Sequence, residues 1–216
     1  TVACTNDSVI YINTNNVIVR KISDRKEKDL SNIGLIGHES GHILFTDFVF
    51  LNKYEKSLLA GTIYPQTPKK KDFPDDFAGT VDELLAVFDE GNTAKLKILI
   101  KISSELSNIV EDGYVEKRMK EKFSGEIAAG IDLNNSTYFK DFVSVQEMID
   151  KGYQPFAIFT NMLLQYCKTG KVNNKERISN EYTEVLYACI PTLDAALSED
   201  NAKKRMAVVN KLLVFG

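Results

Sequence analysis

The chain has 216 residues, with 27 basic and 30 acidic side chains, a formal net charge of −3 and 44% hydrophobic residues. That supplies a sizeable core for one large domain, while the mixed charge leaves neither a basic footprint for nucleic acid nor a cationic face for a membrane. Three widely spaced cysteines, Cys4, Cys167 and Cys189, predict a reducing, cytoplasmic setting and no disulfide framework.

No apolar run reaches bilayer-spanning length, and the start TVACTNDSV lacks the charged and apolar regions of an export signal. Beginning at Thr1 and stopping in KLLVFG, the chain reads as a piece of a longer protein. From Ser8 to Lys21, apolar and other residues alternate around Thr14-Asn15-Asn16, which predicts a β-hairpin. A helical pattern then runs from about Asp29 or Ser31 to Leu59 and stops at Gly61. Thr62 to Gly79 holds three of the five prolines and a lysine triplet. It reads as an exposed loop and one wall of a cleft, and the acidic residues that follow PKKK cancel its charge.

Thr80 with Glu83 forms a capping-box pattern for a short helix to about Glu90. A second long helix follows, with Leu99, Ile102, Leu106, Ile109 and Gly113 at three- and four-residue steps, ending near Gly125. Further helices are predicted over 143–152, 154–170, 179–197 and 198–215. Cys167 and Cys189 fall inside apolar helical patterns and read as core. The expected fold class is α+β, mostly α: one domain in which a small N-terminal hairpin packs on the first long helix (1–61) and a helical layer (62–216) forms the rest.

The first long helix carries GLIGHESGHILFTDF, with both histidines of the chain. His38-Glu39-Ser40-Gly41-His42 fits HExxH. On a helix, residues four apart share a face, so both imidazoles can reach one ion at about 2.0–2.1 Å. Glu39 lies beside them, placed to take a proton from a water whose pKa zinc lowers to about 7. Ser40 and Gly41 are small and permit close approach, while Leu35, Ile36, Ile43 and Phe45 supply apolar flanks.

Catalytic zinc takes three protein ligands, and no third histidine exists. Phe45 and Phe48 stand where HExxHxxGxxH requires glycine and histidine, which excludes the metzincin type. The third ligand is a carboxylate or comes from another chain. Glu111, beside the apolar stripe of the second long helix, is one candidate; Asp82 in GTVDELLA partly matches GTxDxxYG, but Leu85-Ala86 replaces Tyr-Gly. Peptide hydrolysis also needs a group facing the developing oxyanion, for which Tyr64, Tyr114, Tyr138 and Tyr153 are the tyrosines in loops or near helix ends.

HESGHILFTDF followed by NIVEDGYVEKRM resembles the zincin-like metallopeptidase region of bacterial proteins related to the cobaltochelatase subunit CobT, which commonly precedes a von Willebrand factor A domain. The hairpin SVIYINTNN and the tail SEDNAKKRMAVVNKLL are similar to it more loosely. The resemblance implies His38 and His42 as zinc ligands, Glu39 as base, Glu111 as a gluzincin-type third ligand and Asp112 as a group orienting a histidine. Thr46 and Asp47 match its pattern; Tyr114 departs from its basic residue. It implies a zinc-dependent peptidase acting on a peptide or protein, with a von Willebrand A domain, beyond Gly216, or an AAA+ ATPase as partner. The alternative is a weak or inactive zincin module whose zinc stabilises an interaction domain.

Overall fold

The computed structural model describes residues 2–5, 8–140, 142–173 and 180–215. Among these, the only strands form a two-stranded antiparallel sheet, and the rest of the regular structure is helical. Contacts divide the chain into two compact units: residues 1–46, 112–153 and 161–178, and residues 47–111, 154–160 and 179–216. Segments from both sides of Gly61 contribute to the second unit, and both units interleave along the chain.

In the first unit, β1 (Ala3–Thr5) pairs with β2 (Ile10–Ile12), Cys4 opposite Tyr11. The hairpin is thus built one step earlier than its alternation predicted. Val17–Lys21 is instead a short helix, α1, because the Asn16 side-chain oxygen accepts hydrogen bonds from the Ile18 and Val19 amides at 2.8 and 3.1 Å. That N-cap satisfies donors no strand partner offers, overriding the β preference of Val-Ile-Val.

The long helix also divides. Helix α2 (Arg25–Phe45) starts on the Asp24 cap, and Asp47 caps a new helix, α3 (Phe48–Leu59), by accepting from the Phe50 amide at 2.9 Å. Two further helices of the first unit, α6 (Glu126–Phe139) and α7 (Val145–Asp150), follow the long α5 (Thr93–Lys122). No pattern predicted α6, although it packs extensively along α2. At their crossing, Gly34 and Gly130 bring backbone against backbone: a Cβ on either would overlap the other helix's main chain. Asn134 donates to the Ser31 carbonyl at 2.9 Å and accepts from the Ser31 hydroxyl. The buried stripe of α6 holds a single aliphatic residue, Ile131, among Gly130, Asn134 and Asn135, so it carries little hydrophobic periodicity. Tyr114, Val115, Met119 and Ile131 make the adjoining core.

The second unit contains α3, α4 (Ala78–Asp89), α9 (Glu181–Ala196) and α10 (Ala202–Phe215). Helix α4 begins at Ala78 without a side-chain cap, so the Thr80/Glu83 box is not its start. The expected loop before it holds two 3-10 turns, Lys70–Asp72 and Asp75–Phe77. Asn180 and Thr183 form the capping box of α9, and the start expected at Ser179 lies outside the described residues. Helix α8 (Pro155–Thr169) gives residues to both units, as does α5.

Leu193, Met206, Val209 and Leu212 are fully buried. Within this core Tyr54 bonds to Ser103 and donates to the Asn210 side-chain oxygen at 3.0 Å, while the Asn210 amide holds the carbonyls of Tyr64 and Gln66. No helix of the described residues is long and apolar enough to cross a membrane.

Candidate metal centre

Helix α2 presents His38 and His42 one turn apart, and their Nε2 atoms converge to 3.2 Å. Asp112, on α5, brings Oδ1 to 3.3 Å from His42 Nε2 and 3.9 Å from His38 Nε2. Donor atoms bound at about 2.0–2.1 Å in a tetrahedron lie roughly 3.3–3.4 Å apart. Two edges of this triangle already have that length, and the third closes with a small side-chain rotation. Among the described residues, this is the group of histidine and carboxylate donors able to hold a cation.

The outer nitrogens are held as well. His38 Nδ1 is 3.0 Å from Glu116 Oε1 and His42 Nδ1 is 3.0 Å from Thr46 Oγ1. A carboxylate only accepts, so His38 carries its proton on Nδ1 and turns the Nε2 lone pair inward. Lys168, from α8, donates to Glu116 Oε1 at 2.7 Å and to Asp112 Oδ2 at 3.0 Å. Asn135, from α6, donates to Glu116 Oε2 at 2.7 Å and to the Lys168 carbonyl at 3.3 Å. Gly41 lets the histidine helix lie close to α5, since a Cβ there would meet Val115 and Met119.

These contacts set the charge states. Burial opposes the Glu116 carboxylate, but the Lys168 ammonium and the His38 contact outweigh it and hold the group down at about 2. Burial likewise opposes ionisation of Asp112, and Lys168 with the two histidines brings it well below the usual carboxylate range. Lys168 is pushed down by burial and more strongly up by Glu116 and Asp112, so it stays charged. Glu39 differs: burial raises its carboxyl above the ordinary value, with the two histidines pulling back. Among the described residues no side-chain hydrogen bond reaches its carboxylate.

A cavity of about 290 Å³ adjoins the group, lined by His38, Glu39, Asp112, Glu116, Lys168, Asn135 and Tyr138 with apolar walls that include Leu35, Ile131, Leu164 and Phe139.

Family models, curated proteins and solved structures give no significant match to this chain.

The other expected site residues fall elsewhere. Glu111 is 3% exposed and bonded through both oxygens to Arg205, Oε2 to Nε at 3.0 Å and Oε1 to Nη2 at 2.9 Å. An acceptor committed to a buried guanidinium is not a spare ligand, so the third-ligand expectation moves from Glu111 to its neighbour Asp112. Asp82 is exposed and paired with Lys70 at 2.6 Å, which also removes it. Of the four tyrosines, Tyr138 lines the cavity; Tyr114 is buried in the core and Tyr64 packs on Phe50. Lys168 and Asn135 escaped sequence reasoning, while Glu116 lies in the NIVEDGYVEKRM stretch but was given no role there; its i, i+4 spacing from Asp112 puts two acids on one face of α5.

Proposed function

We propose that the chain is a zinc-dependent metallopeptidase with a zincin-like fold, in which His38, His42 and Asp112 hold the ion and Glu39 is the general base. The observation that carries this reading is the spacing of the three donor atoms, 3.2, 3.3 and 3.9 Å apart, with Glu39 lining the same cavity as His38 and Asp112. Two nitrogens and one oxygen suit zinc, and three protein donors leave a position open. Zinc bound there supplies a Lewis acid that polarises a peptide carbonyl and makes water acidic near neutral pH.

Glu39 supplies the proton transfers. Its carboxyl group is adjacent in sequence to His38, lines the same cavity, and is raised by burial above its ordinary value, the direction that strengthens a base. It takes the proton of the attacking water and delivers it to the departing amine. Glu116 and Thr46 fix the imidazole planes, and Asn135 and Lys168 fix Glu116. Of the four tyrosines, Tyr138 lines this cavity and is our candidate for the group that meets the oxyanion.

The half-open, largely apolar cavity suits a peptide or protein side chain entering beside the ion. The exposed cysteine Cys4 fits a reducing, cytoplasmic compartment. A von Willebrand A domain or an AAA+ ATPase as partner rests on the motif resemblance alone. The buried Glu39 favours a hydrolase over an inert zinc-stabilised module, for which a carboxylate on the cavity wall has no use.

The test is cleavage of a peptide library by the zinc-loaded chain and by Glu39→Gln. The expected result is turnover in the first, loss of at least about 100-fold in the second, and equal zinc content in both. Undiminished cleavage by Glu39→Gln sinks the assignment.

A further inference from the structure

We infer that Lys168 is a positioning residue that confines Asp112 to one donor oxygen, and so tunes the centre to a four-coordinate cation such as zinc over a larger, oxygen-seeking one such as manganese. This rests on the metal reading above. A carboxylate can offer one oxygen or two, and six- to eight-coordinate cations commonly use both. In Asp112, Oδ1 faces the histidines, while Oδ2 lies 3.0 Å from Lys168 Nζ. For Asp112 to chelate, Oδ2 would have to leave that ammonium.

Lys168 is not free to follow it. Its side chain is only 9% exposed, and a second bond of 2.7 Å ties Nζ to Glu116 Oε1. Glu116 is itself fixed: Oε1 also meets His38 Nδ1, and Oε2 accepts from Asn135. The same Asn135 amide reaches the Lys168 carbonyl. One closed circuit therefore sets the plane of a ligand histidine and the denticity of the ligand carboxylate. A methionine at 168 keeps most of the buried stem but frees Asp112 Oδ2. The donor count available to a cation then rises from three to four.

The test uses the full chain and Lys168→Met, each loaded with Co2+ as a spectroscopic probe and titrated competitively with Zn2+ and Mn2+. The wild type is expected to give the intense visible bands of tetrahedral Co2+. In Lys168→Met those bands weaken toward a five- or six-coordinate spectrum, and the preference for zinc over manganese falls by about ten-fold or more. A folded Lys168→Met with the wild-type spectrum and preference overturns the inference while leaving the metallopeptidase reading intact. X-ray absorption of the zinc-loaded wild type provides a check independent of any variant: one carboxylate oxygen supports the inference and two overturn it. A wild type that binds none of the three ions overturns both.

Discussion

Glu111 and Asp112 are adjacent, yet a helix turns by roughly 100° per residue, and that rotation decides their chemistry. Asp112 Oδ1 meets the histidines, whereas Glu111 neutralises Arg205, which is fully buried and also donates to the Glu199 carbonyl at 2.8 Å. The two substitutions should therefore separate. Asp112→Asn is expected to lose zinc at least about ten-fold with little change in fold. Glu111→Gln should leave zinc bound and cost about 3–5 kcal/mol, because it strands a buried guanidinium. Zinc competition assays and urea unfolding check the pair; lost zinc with unchanged stability in Glu111→Gln would reverse the assignment. Sequence marked His38, Glu39 and His42 because their chemistry lies within one turn of a single helix. The proposed third donor, Asp112, was not legible as one, since periodicity along α5 does not say which face meets α2. Lys168 carried no signal at all: near the end of α8 it reads as an ordinary cation at a helix C-terminus.

At the level of elements, the centre depends on helices approaching more closely than usual. Gly34 and Gly130 allow α2 and α6 to touch through their backbones, which brings Asn135 within reach of Glu116. Gly34→Ala has no flexible side chain to displace, only main chain, and should destabilise the protein by about 3 kcal/mol or more. Gly79→Ala meets nothing within van der Waals range and should be neutral or slightly stabilising, as alanine is the better helix former. Thermal unfolding of the two variants tests the contrast; equal melting temperatures would show that the crossing tolerates a side chain. The same feature explains why α6 was missed. Its stripe buries one aliphatic residue, Ile131, among glycine and asparagines, too little for a search for apolar spacing, whereas α5, α8, α9 and α10 bury aliphatic stripes and were legible. Local capping misled twice: Asn16 turned an apparent strand into α1, and Asp47 divided one predicted helix into two.

Over the whole molecule, the division into interleaved units was not legible, because it depends on contacts far apart in sequence. The candidate metal site belongs to the first unit and the Arg205–Glu111 pair to the second. The second also buries the Tyr54 hydroxyl, which burial pushes above its ordinary value although the Ser103 contact opposes this. The folded state thus keeps a proton that the unfolded chain releases from about pH 10. That contribution is fully present below pH 10 and is lost as pH rises through the folded value. Tyr54→Phe should cost about 1 kcal/mol at pH 7 through its lost hydrogen bonds, with the gap to wild type narrowing above pH 10. Denaturant unfolding at pH 7 and above pH 10 checks this, and a gap that widens would contradict it.

The central claim is tested most directly by an anomalous difference map recorded at the zinc edge on crystals of the zinc-loaded protein. It should show one peak, about 2 Å from His38 Nε2, His42 Nε2 and Asp112 Oδ1, with the Glu39 carboxylate beside it but not bound. A peak ligated by Glu111 or Asp82, or no peak between the histidines, would contradict the account.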